Sequence, residues 1–132
     1  MSSARQPEFF FDRSLGKITA SRLRDAGHTV HLIAEFHGDD ANGVPDVEEW
    51  IAQGCRRGWI LLSKDKRIRY RAEELGALED GHLFCLASGN APIDVMAESL
   101  LAAMPQITRA ARLNRAGFWH IYSGGRIRKM WP

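Results

Sequence analysis

Trp59-Ile60-Leu61-Leu62-Ser63-Lys64-Asp65 is the stretch that decides the fold. Four apolar residues in succession, with no polar alternation, suit a strand covered on both faces, the habit of parallel sheets. An acid just beyond such a run falls at the carboxyl end of the strand, where open α/β sheets build their sites. Working upstream, Asp46 to Arg57 reads as a helix, because Val47, Trp50, Ile51 and Cys55 recur at i, i+3, i+4 and i+8. His28 to Ile33 is β-branched and reads as a strand. Ser14 to Ala26 reads as a helix stopped by Gly27, and Glu8 to Phe11 as a buried strand leading straight into Asp12. Downstream, Lys66 to Leu78 is helical in part and His82 to Leu86 is a strand. Pro92 to Met104 is a helix striped by Ile93, Met96, Leu100, Leu101 and Met104. Pro105 predicts a break or kink, with Gln106 to Leu113 carrying on beyond it. Phe118 to Tyr122 and Arg126 to Trp131 read as a hairpin around Gly124-Gly125. Trp50 and Trp59 are expected in the core, Trp119 and Trp131 at an interface.

Strands alternating with helices predict an α/β domain with a mainly parallel central sheet, the C-terminal hairpin adding an antiparallel edge. The chain has 132 residues, 45% hydrophobic and 26% charged, and no linker divides it. A single domain over residues 1–132 is expected. No run of 18 apolar residues suggests a membrane span, and residues 1–7 lack the apolar core of a leader peptide. Cys55 and Cys85 have neither CxxC spacing nor flanking ligands. This excludes a sequence-legible zinc site and points to a reducing, cytoplasmic setting.

Net charge is only +2, but it is unevenly spread. Residues 35–49 hold six acids and no Lys or Arg, residues 56–71 hold seven basic residues around the lone Asp65, and no acid follows Glu98. Clustered charge of this kind is what a polyanion would sense. Asp12 and Asp65 both follow strands. With Asp46, Glu48 and Glu49 at a helix start, they are the acids the fold would bring to one edge. Converging carboxylates repel, and a hard divalent cation with oxygen preference, Mg2+ or Mn2+, relieves that repulsion and bridges to phosphate. Plainer roles exist for each. Asp12 and Asp65 are good helix caps, Asp46 with Glu49 has capping-box spacing, and the basic run is also a reasonable solvated helix face. The histidines show no ligand spacing, and no GxSxG or phosphate-cradling glycine motif is present.

Three segments, in order, resemble a known family. Phe9-Phe10-Phe11-Asp12-Arg13-Ser14-Leu15-Gly16 resembles the opening strand and first acid of PIN-like domains. Pro45-Asp46-Val47-Glu48-Glu49-Trp50-Ile51 resembles their acidic helix start. Arg57 to Arg69 resembles the strand ending in a Ser/Thr-Lys-Asp-Lys motif. The chain is similar to the PIN-like branch found among VapC-type toxins, over Glu8 to Leu113. The resemblance implies a PIN-like three-layer α/β/α sandwich and Mg2+- or Mn2+-dependent cleavage of RNA. It also implies a small cognate antitoxin and often a homodimer. It carries over Asp12 and Asp65 as metal-binding acids. Asp46, Glu48 and Glu49 compete for the middle position, with Asp46 and Glu49 favoured because three residues along a helix share a face. PIN nucleases commonly bring a further acid from beyond the third strand. Here Asp80, Asp94 and Glu98 are the counterparts, none within a motif.

The expected function is therefore a metal-dependent endoribonuclease, the toxin of a type II toxin–antitoxin pair. Asp12, Asp46, Glu49 and Asp65 would serve as catalytic and metal-holding acids, and Lys64, Lys66, Arg67 and Arg69 would sit on the RNA backbone. The alternative is a PIN-like scaffold that binds RNA or protein with little or no cleavage. A phosphoacceptor receiver-like domain wants paired acids after the first strand, and Asp12-Arg13-Ser14 supplies one.

Overall fold

Phe9, Phe10 and Phe11 are each at most 1% exposed. Three consecutive buried aromatics require a strand with both faces covered, and β1 (Glu8–Phe11) is such a strand. The computed structural model describes residues 6–12, 14–33, 50–64, 76, 78, 81–113 and 116–131. β1 pairs in parallel with β2 (Thr29–Leu32) on one side and β3 (Ile60–Ser63) on the other. β4 (His82–Leu86) runs parallel to β3, and β5 (Gly117–Ile121) parallel to β4. β6 (Ile127–Trp131) closes the edge antiparallel to β5. The six-stranded sheet has the order β2-β1-β3-β4-β5-β6.

Side chains alternate between the two faces, as the period of a strand demands. Phe9, Phe11, Leu62, Phe84 and Trp119 join one apolar cluster with Ala20 and Leu23 of α1 (Lys17–Asp25) and the buried stripe of α3 (Ile93–Leu113). Phe10, Leu61, Leu83 and Phe118 join a second cluster with Trp50, Ile51 and Leu78. There α2 (Ala52–Arg57) comes so close that a Cβ on Gly54 would lie 2.4 Å from Leu61. Helical layers on both faces make the expected three-layer α/β sandwich with a mainly parallel sheet and a C-terminal hairpin.

Three local readings change. Helix α1 begins at Lys17, not Ser14, with Gly16 at its cap and no side-chain capping bond. Ser14 is occupied elsewhere, as shown below. Helix α3 continues through Pro105 to Leu113. A helical proline costs ~3 kcal/mol, but Leu100, Met104 and Ile107 are at most 3% exposed on either side of it. At ~1.5–3 kcal/mol each, their burial outweighs that cost. Trp119 is 3% exposed and stacks on Phe84 at 4.6 Å, so it is core and not interface, whereas Trp131 is 37% exposed. The hairpin turn is a 3-10 turn, Ser123–Gly125, with Gly124 and Gly125 at φ 83° and 89°. Gly125 lies flush on α3: a Cβ there would come within 2.6 Å of the Ala102 backbone. Cys55 and Cys85 are not joined in a disulfide, and the Cys55 thiol donates to Leu78 O at 3.1 Å.

Candidate active site

In the sheet, β1 is followed by a crossover to β2 on one side, and β3 is followed by β4 on the other. Between β1 and β3, the outgoing connections therefore diverge. That divergence opens a crevice at the carboxyl ends of the two strands, the usual ligand position in open α/β sheets. Asp12 directly follows β1 at this point and Ser63 ends β3. The register pairs Phe11 with Leu62 and so sets Asp12 beside Ser63. Asp12 shares the alternation of Phe10, and Ser63 that of Leu61, so both belong to the same face of the sheet.

Asp12 is 6% exposed and Ser63 fully buried. The Ser63 hydroxyl donates to Asp12 Oδ2 at 2.6 Å. Asp12 Oδ1 accepts from the Ser14 backbone N–H at 2.9 Å and from the Ser14 hydroxyl. The i to i+2 bond is the aspartate's own local turn, which explains why the chain does not enter the helix until Lys17. Asp12 is thus not the cap of α1. Its own N–H donates to Leu62 O at 3.2 Å, fastening the strand end to β3. The Ser14 Oγ accepts from the Lys64 N–H at 3.2 Å and lies 3.5 Å from Ser63 Oγ. The β4–α3 loop packs against the same segment: a Cβ on Gly89 would lie 2.8 Å from Lys64 O. Lys64, one residue before Asp65, is therefore tied by its backbone to the loop that follows Asp12.

The site described by these residues is a buried carboxylate oriented by two hydroxyls and an amide. Its side-chain donors are all oxygen, which suits Mg2+ or Mn2+ and not a soft metal. Of the acids expected here, Asp12 is placed by the structure. Asp46, Glu49 and Asp65 lie outside the described residues, as do Glu48 and Asp80. Among the described residues no three His, Cys, Asp or Glu side chains gather as a metal cluster. Lys64 is half-buried; Lys66, Arg67 and Arg69 are outside the described residues. Asp94 is exposed and bonds Arg22 at 3.1 Å, and Glu98 is exposed on α3. Histidines serve other places: His31 bonds Glu8 at 2.8 Å and stacks on Trp59, while His82 opens β4 against Trp119.

The sequence reading did not single out Ser14 and Ser63, which hold Asp12. A signal existed for both. A hydroxyl two residues after a strand-terminal Asp forms a local turn with it. A lone Ser closing an otherwise apolar strand, next to that Asp in a parallel pair, has one obvious acceptor.

Comparison with known proteins agrees with this architecture. The family model described as PIN like domain matches residues 7–88, which span β1 to β4 and the crevice between β1 and β3. A Mycobacterium tuberculosis protein named "Putative ribonuclease VapC45" is 36% identical over 107 residues, 78% of this chain and 77% of that protein. No solved structure matches the chain. Because the matched region contains the divergent strand pair and the acid at its mouth, and the likeness runs over most of both chains, this protein belongs to the PIN-like domain family, on its VapC-type branch.

Proposed function

We propose that this protein is a metal-dependent endoribonuclease, the toxin of a type II toxin–antitoxin pair. The observation that carries the reading is Asp12: a carboxylate buried at the switch point of the sheet and held by the hydroxyls of Ser14 and Ser63. Burying a carboxylate is costly, and a structural cap would not need this depth or this pair of hydroxyl donors. Membership of a toxin-nuclease family and the ribonuclease name of the M. tuberculosis relative support the same reading.

Asp12, Asp65, Asp46 and Glu49 would hold the cation, Mg2+ or Mn2+, whose hard-oxygen preference fits the donors around Asp12. When bound, such an ion supplies an activated water at neutral pH and neutralises charge on the phosphodiester. The chain's own part is positioning. Ser14 and Ser63 fix the direction of the Asp12 oxygens before substrate arrives, so little reorganisation is left for the reaction. Lys64, Lys66, Arg67 and Arg69 bind the RNA backbone, which sets register on the strand without reading bases. A small antitoxin would keep the enzyme silent in the cytoplasm, and the active form would be a homodimer. No described helix is long and apolar enough to cross a membrane.

Purified protein incubated with a mixed RNA substrate should cut it with Mg2+ or Mn2+, stop on addition of EDTA, and resume when metal is restored. Cleavage that persists in EDTA contradicts the metal-dependent reading. RNA that is bound but never cut under any metal condition would establish the alternative, a PIN-like binding module.

A further inference from the structure

Residues 99–132 carry Arg109, Arg112, Arg115, Arg126, Arg128 and Lys129 and not one Asp or Glu. The structure collects part of this charge around a groove of about 520 Å3 lined by Gln106, Tyr122, Arg126, Ile127 and Arg128. Among the described residues the lining holds two guanidiniums and no carboxylate. Arg126 lies over the Tyr122 ring, 5.6 Å from its centroid. The turn that carries both is fastened at two points: the Tyr122 N–H donates to Arg126 O at 2.7 Å, and Gly125 is seated on Ala102 of α3. Tyr122 follows the carboxyl end of β5, the same edge of the sheet on which Asp12 stands. In the order β1-β3-β4-β5, three strand spacings separate them, about 14 Å at roughly 4.8 Å each.

We propose that this groove is a second phosphodiester-binding site, which holds single-stranded RNA along the sheet edge away from the bond being cut. The proposal rests on the ribonuclease reading above. Guanidinium forks match phosphate oxygens in pairs, and an aromatic ring beside them offers a stacking face to a base of any identity. Cations on an edge strand also discourage pairing with other strands. That role accounts for Arg128 on β6, but not for Arg126 in the turn, set over a tyrosine beside a cavity.

The test is the binding of a labelled single-stranded RNA to the full chain, followed by fluorescence anisotropy in EDTA across a range of NaCl. Each phosphate contact contributes about −0.7 to the slope of log affinity against log salt. Arg126→Gln with Arg128→Gln should make the slope shallower by about 1.4, with melting curves showing both proteins folded. Arg56→Gln with Arg112→Gln removes the same charge from exposed residues at the opposite end of the sheet and should leave the slope near wild type. Tyr122→Ala should weaken binding several-fold with the slope unchanged, because it removes a ring and no charge. Equal losses in the two double variants would overturn the proposal, since net charge alone would then explain binding. So would an unchanged slope in the Arg126/Arg128 variant while wild type binds in a salt-dependent way, and in that case the ribonuclease reading stands. Wild-type protein that binds no RNA would remove both readings together.

Discussion

Asp12→Asn should abolish RNA cleavage while leaving the protein folded. The expected loss in rate is about 10²- to 10³-fold or more, because metal-centred charge stabilisation is worth several kcal/mol and each 1.36 kcal/mol is tenfold. The fold should survive because asparagine reproduces the bonding. Its Oδ1 still accepts from the Ser14 N–H and hydroxyl, and its amide N–H2 donates to Ser63 Oγ, which rotates to accept. Asp12→Ala is different: it strands the Ser14 N–H and the buried Ser63 hydroxyl without their acceptor and should cost about 1–3 kcal/mol of stability as well. Cleavage assays and thermal melts on the two variants together separate the site's chemistry from its architecture. If Asp12→Asn unfolds, the carboxylate is structural. If it cuts RNA at the wild-type rate, the assignment of Asp12 is wrong. Asp65→Asn is expected to match Asp12→Asn in lost activity.

Ser63→Ala should lower cation affinity about 10- to 100-fold, the usual effect of removing a group that orients a metal-binding side chain. In the proposed site Ser63 would be a positioning residue, acting through Asp12 Oδ2, 2.6 Å away. The half-saturating Mn2+ concentration for cleavage should therefore rise, while the rate at saturating Mn2+ recovers substantially. The stability cost should be near 1 kcal/mol, that of one buried hydrogen bond. A Ser63→Ala protein that melts early but keeps the wild-type Mn2+ requirement would reduce Ser63 to a packing and bonding role.

The fold was legible where one physical demand dominated. Glu8–Phe11 and His82–Leu86 read correctly to the residue, because unbroken apolar runs between polar boundaries leave no other element. Boundaries moved where a side chain had a second task. β3 extends to Ser63 because that hydroxyl is buried against Asp12, and α1 starts late because Ser14 bonds Asp12 instead of entering the helix. The helix that runs on without a break at Pro105 and the buried Trp119 share one cause. Local rules name a breaker or an amphipathic ring, but tertiary burial of the α3 stripe and the Phe84 stack decide. Sheet order was not legible, since it depends on which way each crossover turns. Asp12 could be read from its place after a buried strand and Ser14 from its local turn with that Asp, whereas Ser63 is brought to Asp12 by the β1–β3 pairing.

The most direct test of the central claim, that Asp12 belongs to a divalent-metal site, is Mn2+ uptake measured by electron paramagnetic resonance without RNA. Wild-type protein should take up one or two Mn2+ per chain, the number that phosphodiester-cleaving sites use. Mg2+ should displace them, and Asp12→Asn should bind fewer ions or bind them far more weakly. Wild-type protein that takes up no Mn2+, or Asp12→Asn protein that binds it as wild type does, would contradict the account.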